Sequence, residues 1–222
     1  MIEAKSPTER IRRAYDFYSL FYGRLAAPLE RRPRMLGLEQ AAIGPQDRVL
    51  EVAVGPGATL LEIVKMVDGA NVIYGVDLSP KMLEKARQLV NAAGYTNLDL
   101  READARSLPF DDDMFDVLYN SYMLDLIPLN EMPVVLSEFR RVLKPGGRLV
   151  LVNMSKENER SRTWYERLYT LLPARWVPYV MGGCRPVLME GLVREAGLGE
   201  VRRQFLKGMI PSEIVAARKP SV

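Results

Sequence analysis

The 222-residue chain contains no histidine and a single cysteine, Cys184. Without an imidazole, no side chain has an unperturbed pKa between about pH 5 and 8, so any proton transfer falls to carboxyl, phenol or amine groups. Two-histidine metal motifs are excluded with it, and a lone cysteine builds neither an intrachain disulfide nor a structural zinc site. No bound metal is expected. No apolar run approaches the ~18–20 residues that span a bilayer. The opening Met-Ile-Glu-Ala-Lys leads into a charged segment with no apolar stretch of the signal-peptide kind, so a cytoplasmic location is expected. Repeats and low-complexity tracts are also missing.

What is present is an ordinary globular mix, 48% hydrophobic and 27% charged, enough to bury a real core. The net charge of +3 is uneven. Residues 1–34 carry +4, 35–155 carry −6, 156–185 carry +3 and the remainder +2. The basic flanks at 1–34 and 156–185 are rich in aromatics, which suits an anionic surface, lipid or nucleic acid. The plainer reading is a pair of solvated amphipathic helices with outward arginines, and it is preferred because a few charges rarely decide a partner.

The centre alternates short β-rich runs with helical patterns, the signature of βαβ units around a parallel sheet. Arg48–Val54 reads as a first strand ending in Gly55-Pro56-Gly57, followed by a helix with Leu60, Leu61, Ile63, Val64 and Val67 apolar. Asn71–Asp77 reads as a second strand, with Ser79 as N-cap and Pro80 as first residue of a helix that Gly94 stops. Leu98–Arg101 and Phe115–Asn120 are the third and fourth strands. A helix from about Glu131 to Leu143 then turns at Lys144-Pro145-Gly146-Gly147 into a fifth, Arg148–Val152. Residues 156–185 read as an inserted helical segment. Pro186 opens a helix over Val187–Ala196 that Gly197 closes. Glu200–Phe205 and Ile210–Ala217 read as an antiparallel hairpin on the sheet edge, where Pro211 is tolerated. The expectation is a doubly wound, Rossmann-like seven-stranded α/β sheet forming one domain over 1–222. Its parts are a helical cap at 1–44, a core at 45–155, a helical insertion at 156–185, and a closing helix and hairpin at 186–222.

A glycine loop between strand and helix admits a ligand to the backbone beside the positive end of the helix; alone, it is equally a tight turn. Two carboxylates sharpen it. Glu51 lies inside the first strand, four residues before Gly55, and Asp77 falls 20 residues after Gly57, the offset at which an acid reaches ribose hydroxyls. A dinucleotide loop would want a third glycine where Leu60 stands, and Glu51 would repel a pyrophosphate. S-adenosylmethionine (SAM) instead carries an amino group and a sulfonium, which nearby carboxylates favour.

Val49-Leu50-Glu51-Val52-Ala53-Val54-Gly55-Pro56-Gly57 resembles the first motif of class I SAM-dependent methyltransferases, and Val76-Asp77-Leu78-Ser79-Pro80-Lys81-Met82-Leu83 resembles their acidic strand end and following helix. Asp104-Ala105…Leu108-Pro109-Phe110, Phe115-Asp116-Val117 and Leu143-Lys144-Pro145-Gly146-Gly147-Arg148-Leu149 are similar to the later stations, in the same order over residues 45–155. Within the class the likeness is to ubiquinone/menaquinone C-methyltransferases and phospholipid N-methyltransferases, and Tyr15-Asp16-Phe17-Tyr18…Phe21-Tyr22-Gly23 is similar to their tyrosine-rich lid. Two departures stand out: Ala53 replaces the first loop glycine, at little cost since alanine is small, and Asn120–Asp125 differs from the stretch common in relatives.

The resemblance implies that Glu51, Gly55 and Gly57 hold the methionine end of SAM and Asp77 the ribose. Leu78 and Met82 would flank the adenine, Asp104 and Ala105 would meet its exocyclic amine, and Asn120 would face the cofactor, with S-adenosylhomocysteine as product. Positioning supplies much of the rate of methyl transfer, and a base matters only where the acceptor must lose a proton. Candidates are Asp125, Tyr15, Tyr22 and Tyr122. Asp125 could equally be a turn acid pointing to water, and the tyrosines core aromatics. Trp164, Leu168, Tyr169, Leu171, Leu172 and Trp176 would form an apolar wall of the acceptor pocket, or else a dimer interface or core. The expected acceptor is a small hydrophobic or lipid-like molecule, a quinone-type ring carbon or a phospholipid amine, with peripheral membrane contact through the flanks and no nucleic acid. The alternatives are a soluble metabolite as acceptor, or a SAM-binding module without turnover.

Overall fold

The structure is a computed structural model that describes residues 1–5, 8–18, 27–67, 69, 71–161 and 163–221, with the backbone alone at 8, 15–18, 27, 28 and 181. The order of elements is α1 (Thr8–Tyr18), α2 (Ala27–Ala41), β1 (Val49–Val52), α3 (Ala58–Val64), β2 (Ile73–Asp77), α4 (Pro80–Ala92), β3 (Leu98–Glu102) and β4 (Phe115–Ser121). A 3-10 turn at Leu124–Leu126 follows, then α5 (Met132–Val142), β5 (Leu143–Met154), α6 (Trp164–Leu171), α7 (Val177–Met181), α8 (Glu190–Glu195), β6 (Gly199–Leu206) and β7 (Ser212–Arg218).

The seven strands lie in the order β3-β2-β1-β4-β5-β7-β6, and only β7 runs against the rest. The chain winds outward from β1 through β2 to β3, then returns to the other side of β1 with β4 and β5. The order therefore reverses between β1 and β4, and the crevice past their carboxyl ends is where such sheets take ligands. One face of the sheet packs Leu50, Leu118, Leu149 and Leu151 against Val135, Leu136 and Phe139 of α5 and Val193 of α8. The other packs Val49, Val117, Tyr119 and Val150 against Leu38 of α2, Leu60 and Ile63 of α3, and Ala86 and Val90 of α4. The central strands β1, β4 and β5 are largely buried on both faces, which is why they read as nearly continuous apolar runs, whereas the outer strands β3 and β6 are mostly half-buried or exposed.

Local chemistry matches several expected boundaries. The Ser79 side chain accepts from the Met82 N–H, with Pro80 in the first helical turn of α4, and Gly94 adopts the left-handed φ of +89° that ends it. Two boundaries differ. The Lys144–Gly147 turn lies inside β5 as an irregularity: Leu143 pairs with Phe115 and Arg148 with Val117, and Gly146 at φ +76° lets the chain bulge there. The helix expected from Val187 begins only at Glu190, because Val187 is spent on a parallel bridge to Ser155.

Residues 1–5 are fastened into the fold. The Arg185 guanidinium is fully buried and donates to the carbonyls of Ile2 (2.8 Å), Asp125 (2.8 Å) and Ile127 (2.6 Å). Lys5 Nζ donates to the carbonyls of Tyr169, Thr170 and Leu172 at the C-terminal end of α6, where a cation also meets the negative end of the helix dipole.

Candidate active site

A cleft of about 1050 Å³, open to solvent, occupies the crevice past β1, β2 and β4. On one side it is walled by Ala53–Pro56, Asp77–Ser79, Met82 and Ala103–Ala105; on the other by Ser121–Met123, Leu126, Ile127, and Ile11, Arg12 and Arg34 of the two N-terminal helices.

The loop after β1 owes its shape to positive φ angles at Ala53 (+60°), Gly55 (+55°) and Gly57 (+90°). At Ala53 this corrects the view that the loss of glycine costs little. Size is not the issue; an L-residue with a Cβ sits in the left-handed region, which costs about 1–2 kcal/mol. Gly55 stands on the cleft wall with open space where a Cβ would be. Gly57 is off the wall. A Cβ there would lie 2.7 Å from Ala86 Cα, so this glycine lets α3 pack close on α4.

Asp77 lines the cleft, its Oδ2 accepting from Gly55 N–H and its Oδ1 from Ser79 N–H, each at 2.8 Å. Leu78, Met82 and Ala105 supply an apolar slot beside it. Asp104 also lines the cleft, but Arg106 holds it, with Nε 2.9 Å from Oδ1, and draws its carboxyl below the usual range. Arg106 is fixed in turn by Glu131.

Glu51 and Asn120 are buried and not on the wall. Burial pushes the Glu51 carboxyl well up, with Arg34 opposing and Asp77 reinforcing, and its Oε2 has no hydrogen-bond partner among the described residues. Asn120 donates to the Val52 carbonyl at 2.9 Å while its Oδ1 is likewise unpartnered. Two orphaned acceptors where β1 and β4 end suit a ligand that brings N–H donors, and the amino group of SAM is one. With Asp77 at the rim and the apolar slot, the residues fit SAM.

Among the proposed bases, Tyr22 lies outside the described residues, as does the Tyr15 side chain; the backbone of Tyr15 is in α1. Asp125 points neither to water nor onto the wall. It is fully buried, with Oδ2 accepting from Met154 N–H at 3.1 Å, and burial raises its pKa to about 7. Tyr122 is on the wall at φ +53°, its hydroxyl 2.9 Å from Ser212 Oγ and its ring under the Arg34 guanidinium, and burial raises its phenol.

The aromatic insertion does not wall the cleft. Trp164, Leu168, Leu171 and Trp176 are exposed, while Tyr169 packs with Val177, Tyr165 and Leu172 in a small separate core. Three residues that do line the cleft, Ile11, Arg12 and Arg34, escaped the sequence reading. Arg34 arrives because α2 bears down on the sheet at Gly37, where a Cβ would come within 2.6 Å of Val152. The Tyr119 hydroxyl then donates to the Arg34 carbonyl at 3.0 Å, and Glu30, one turn back, pairs with the guanidinium. A glycine in a helix facing a strand position was the available signal.

Comparison with known proteins agrees with this geometry. Residues 49–147 match a family described as a methyltransferase domain. A demethylmenaquinone methyltransferase of Symbiobacterium thermophilum is 39% identical over 75% of this chain and 74% of its own length. A 2-phytyl-1,4-naphtoquinone methyltransferase of Synechococcus elongatus is 31% identical over 72% and 67%. Among solved structures, the cyclase SpnF superposes with a TM-score of 0.77 at 20% identity, covering 97% of each chain. The N-methyltransferase NodS of Bradyrhizobium japonicum, solved with S-adenosyl-L-homocysteine, superposes with a TM-score of 0.73 at 16% identity over 95% and 99%. At such identities these two speak for the fold. The cleft at the β1–β4 switch point and the relatives converge: the chain belongs to the class I SAM-dependent methyltransferases, similar to the ubiquinone/menaquinone C-methyltransferase group.

Proposed function

We propose that the acceptor is a quinone-type ring carried on a lipid-like molecule, methylated at a ring carbon. The observation that carries this reading is the composition of the acceptor side of the cleft: Ile11, Met123, Leu126 and Ile127 are apolar, and Arg12 and Arg34 are the cations beside them. An aromatic ring with an apolar tail would bury against the first set, and an oxygen bearing phenolate character would be stabilised by the second. The quinone-ring methyltransferases among the relatives support the same acceptor class.

When bound, SAM supplies a methyl carbon made electrophilic by its sulfonium. The chain's own residues do the rest. Asp77 would accept from the ribose hydroxyls, the Glu51 carboxyl would regain its charge against the amino group, and Leu78, Met82 and Ala105 would hold the adenine. Tyr122, Leu126 and Ile127 would orient the acceptor ring, which is where much of the rate enhancement arises. An acceptor that partitions into membranes would bring the enzyme to the bilayer surface.

The test is incubation of the protein with methyl-labelled SAM and a demethylnaphthoquinol in detergent, counting label in organic and aqueous phases. Label in the organic phase is expected. Label gained only from soluble extract, in the aqueous phase, would overturn the apolar acceptor. SAM binding without transfer from either source would indicate a binding module without turnover.

A further inference from the structure

The α6–α7 segment turns its apolar residues the wrong way for a helix that only covers a core. On α6, Tyr165, Tyr169 and Leu172 face inward to Val177 and Ile2. Trp164, Leu168 and Leu171, the neighbouring stripe about 100° round the helix, face out, with Trp164 58% and Leu171 82% exposed. Trp176 (51% exposed), just before α7, and Tyr179 and Val180 within it are exposed as well. Six large exposed apolar side chains within residues 164–180 are more than the scattered single residues that need no explanation.

Charge narrows the occupant. Over residues 163–181 the exposed charges among the described residues are Arg167 and Arg175, both positive. The acid of this segment, Glu166, is buried, paired with Lys156 at 2.9 Å and used in the helix cap with Thr163. The exposed acids Glu157 and Glu159 belong to the preceding loop, where Glu157 faces Lys207 at 3.8 Å. Arg175 stands 5.9 Å from the Trp176 ring centre. Exposed tryptophans and a tyrosine flanked by arginines, with the acid withdrawn, match the interfacial zone of a bilayer bearing anionic headgroups.

The segment that carries this face also reaches the cleft lining. Gly183, just after α7, sits against Ile11 and Leu126, where an added Cβ would come within 2.9 and 3.3 Å of their side chains, and both residues line the acceptor side. We infer that the α6–α7 face docks the enzyme on an anionic lipid surface, setting the acceptor side of the cleft beside the bilayer. The purpose of this docking rests on the lipid-like acceptor; the docking itself does not.

The chain has two tryptophans, and both lie on this face, so intrinsic fluorescence reads it directly. The full-length protein, without acceptor, is titrated with phosphatidylcholine vesicles with and without phosphatidylglycerol, and bound protein is measured by co-sedimentation. A blue shift and pelleting with the phosphatidylglycerol vesicles are expected, both weakened by salt. Leu171→Glu should lower partitioning about tenfold, and Arg167→Gln with Arg175→Gln roughly ten- to thirtyfold. Far-UV dichroism should show the variants folded. Absence of binding, or binding indifferent to these substitutions, would overturn the inference. So would a concentration-dependent dimer broken by Leu171→Glu without vesicle binding, which would give the face to a second copy. Methyl transfer in detergent is a separate readout, so failure of the docking and failure of the acceptor reading are told apart.

Discussion

The Asp77 carboxylate accepts a hydrogen bond from the Gly55 backbone N–H at 2.8 Å, so the acid that ends β2 also fastens the loop that follows β1. One side chain thus shapes the loop and lines the cleft. Asp77→Ala is expected to weaken SAM binding by ~1.5–3 kcal/mol and to lower the melting temperature as the loop loses its tie. Calorimetric titration with SAM beside a thermal melt checks this; unchanged affinity would remove Asp77 from the site.

The loop's dihedral angles set a second expectation. Ala53→Gly should stabilise the protein by about 0.5–1 kcal/mol, because glycine adopts φ +60° without the Cβ penalty. Gly57→Ala should destabilise by about 2–4 kcal/mol through left-handed strain plus a clash with Ala86, while Gly55→Ala, with open space at its Cβ, costs only the backbone strain. Urea unfolding of the three variants gives the order. Equal losses at 55 and 57 would refute the helix-packing role of Gly57.

Asp125 offers a pH test. Its carboxyl is raised to about 7, first by burial, then by the charge of Glu30, against the Met154 hydrogen bond and Arg185. A carboxyl whose folded pKa exceeds its unfolded value keeps its proton longer in the native state. Stability therefore falls as pH rises from about 4 to 7 and stays lowered above that. Asp125→Asn should flatten this slope and raise the melting temperature at pH 8 relative to wild type. Since Asp125 is not on the cleft wall, the variant should retain methyl transfer within a few-fold. A collapse of turnover with folding intact would reinstate Asp125 as a base.

Arg185 ties Ile2 to the turn that carries Leu126 and Ile127. A lysine reaches fewer of the three carbonyls and leaves others buried without donors, so Arg185→Lys should cost about 2–4 kcal/mol. Residues 1–5 should also become accessible to proteases, which mass spectrometry of limited digests would show. A melt within a degree of wild type would mean that the carbonyls find other partners.

Much of the β1–β2 side of the cleft was legible as backbone because it is local. The β1 loop, Asp77, and the Ser79–Pro80 helix start lie within about thirty residues, and, Ala53 apart, each carries a residue type that suits its backbone. The far side was not, because Ile11, Arg34 and Leu126 come together only through tertiary packing. Gly37 decides how near Arg34 comes, and nothing adjacent in sequence announces its partner Val152. The Lys144–Gly147 turn was visible as a turn but not as a bulge inside β5, since pairing of Leu143 with Phe115 is a long-range fact. The aromatics of α6 were read as a pocket wall because periodicity shows that a helix has two faces, not which one looks inward. Asp125 illustrates the same limit: a turn acid after a strand looks solvent-bound until Met154 and Arg185 close over it.

Placing both tryptophans on one exposed face leaves the sheet and its helices without an indole reporter. In the native state Trp164 and Trp176 are already more than half exposed, so unfolding changes their surroundings less than it would those of a core indole, and a conventional fluorescence melt would carry a reduced signal. The interior reports instead through Tyr119 and Tyr169, both buried, and through the backbone. Folding of this enzyme is a quantity for circular dichroism or tyrosine absorbance, and its indole signal is left free as a readout of what settles on its surface.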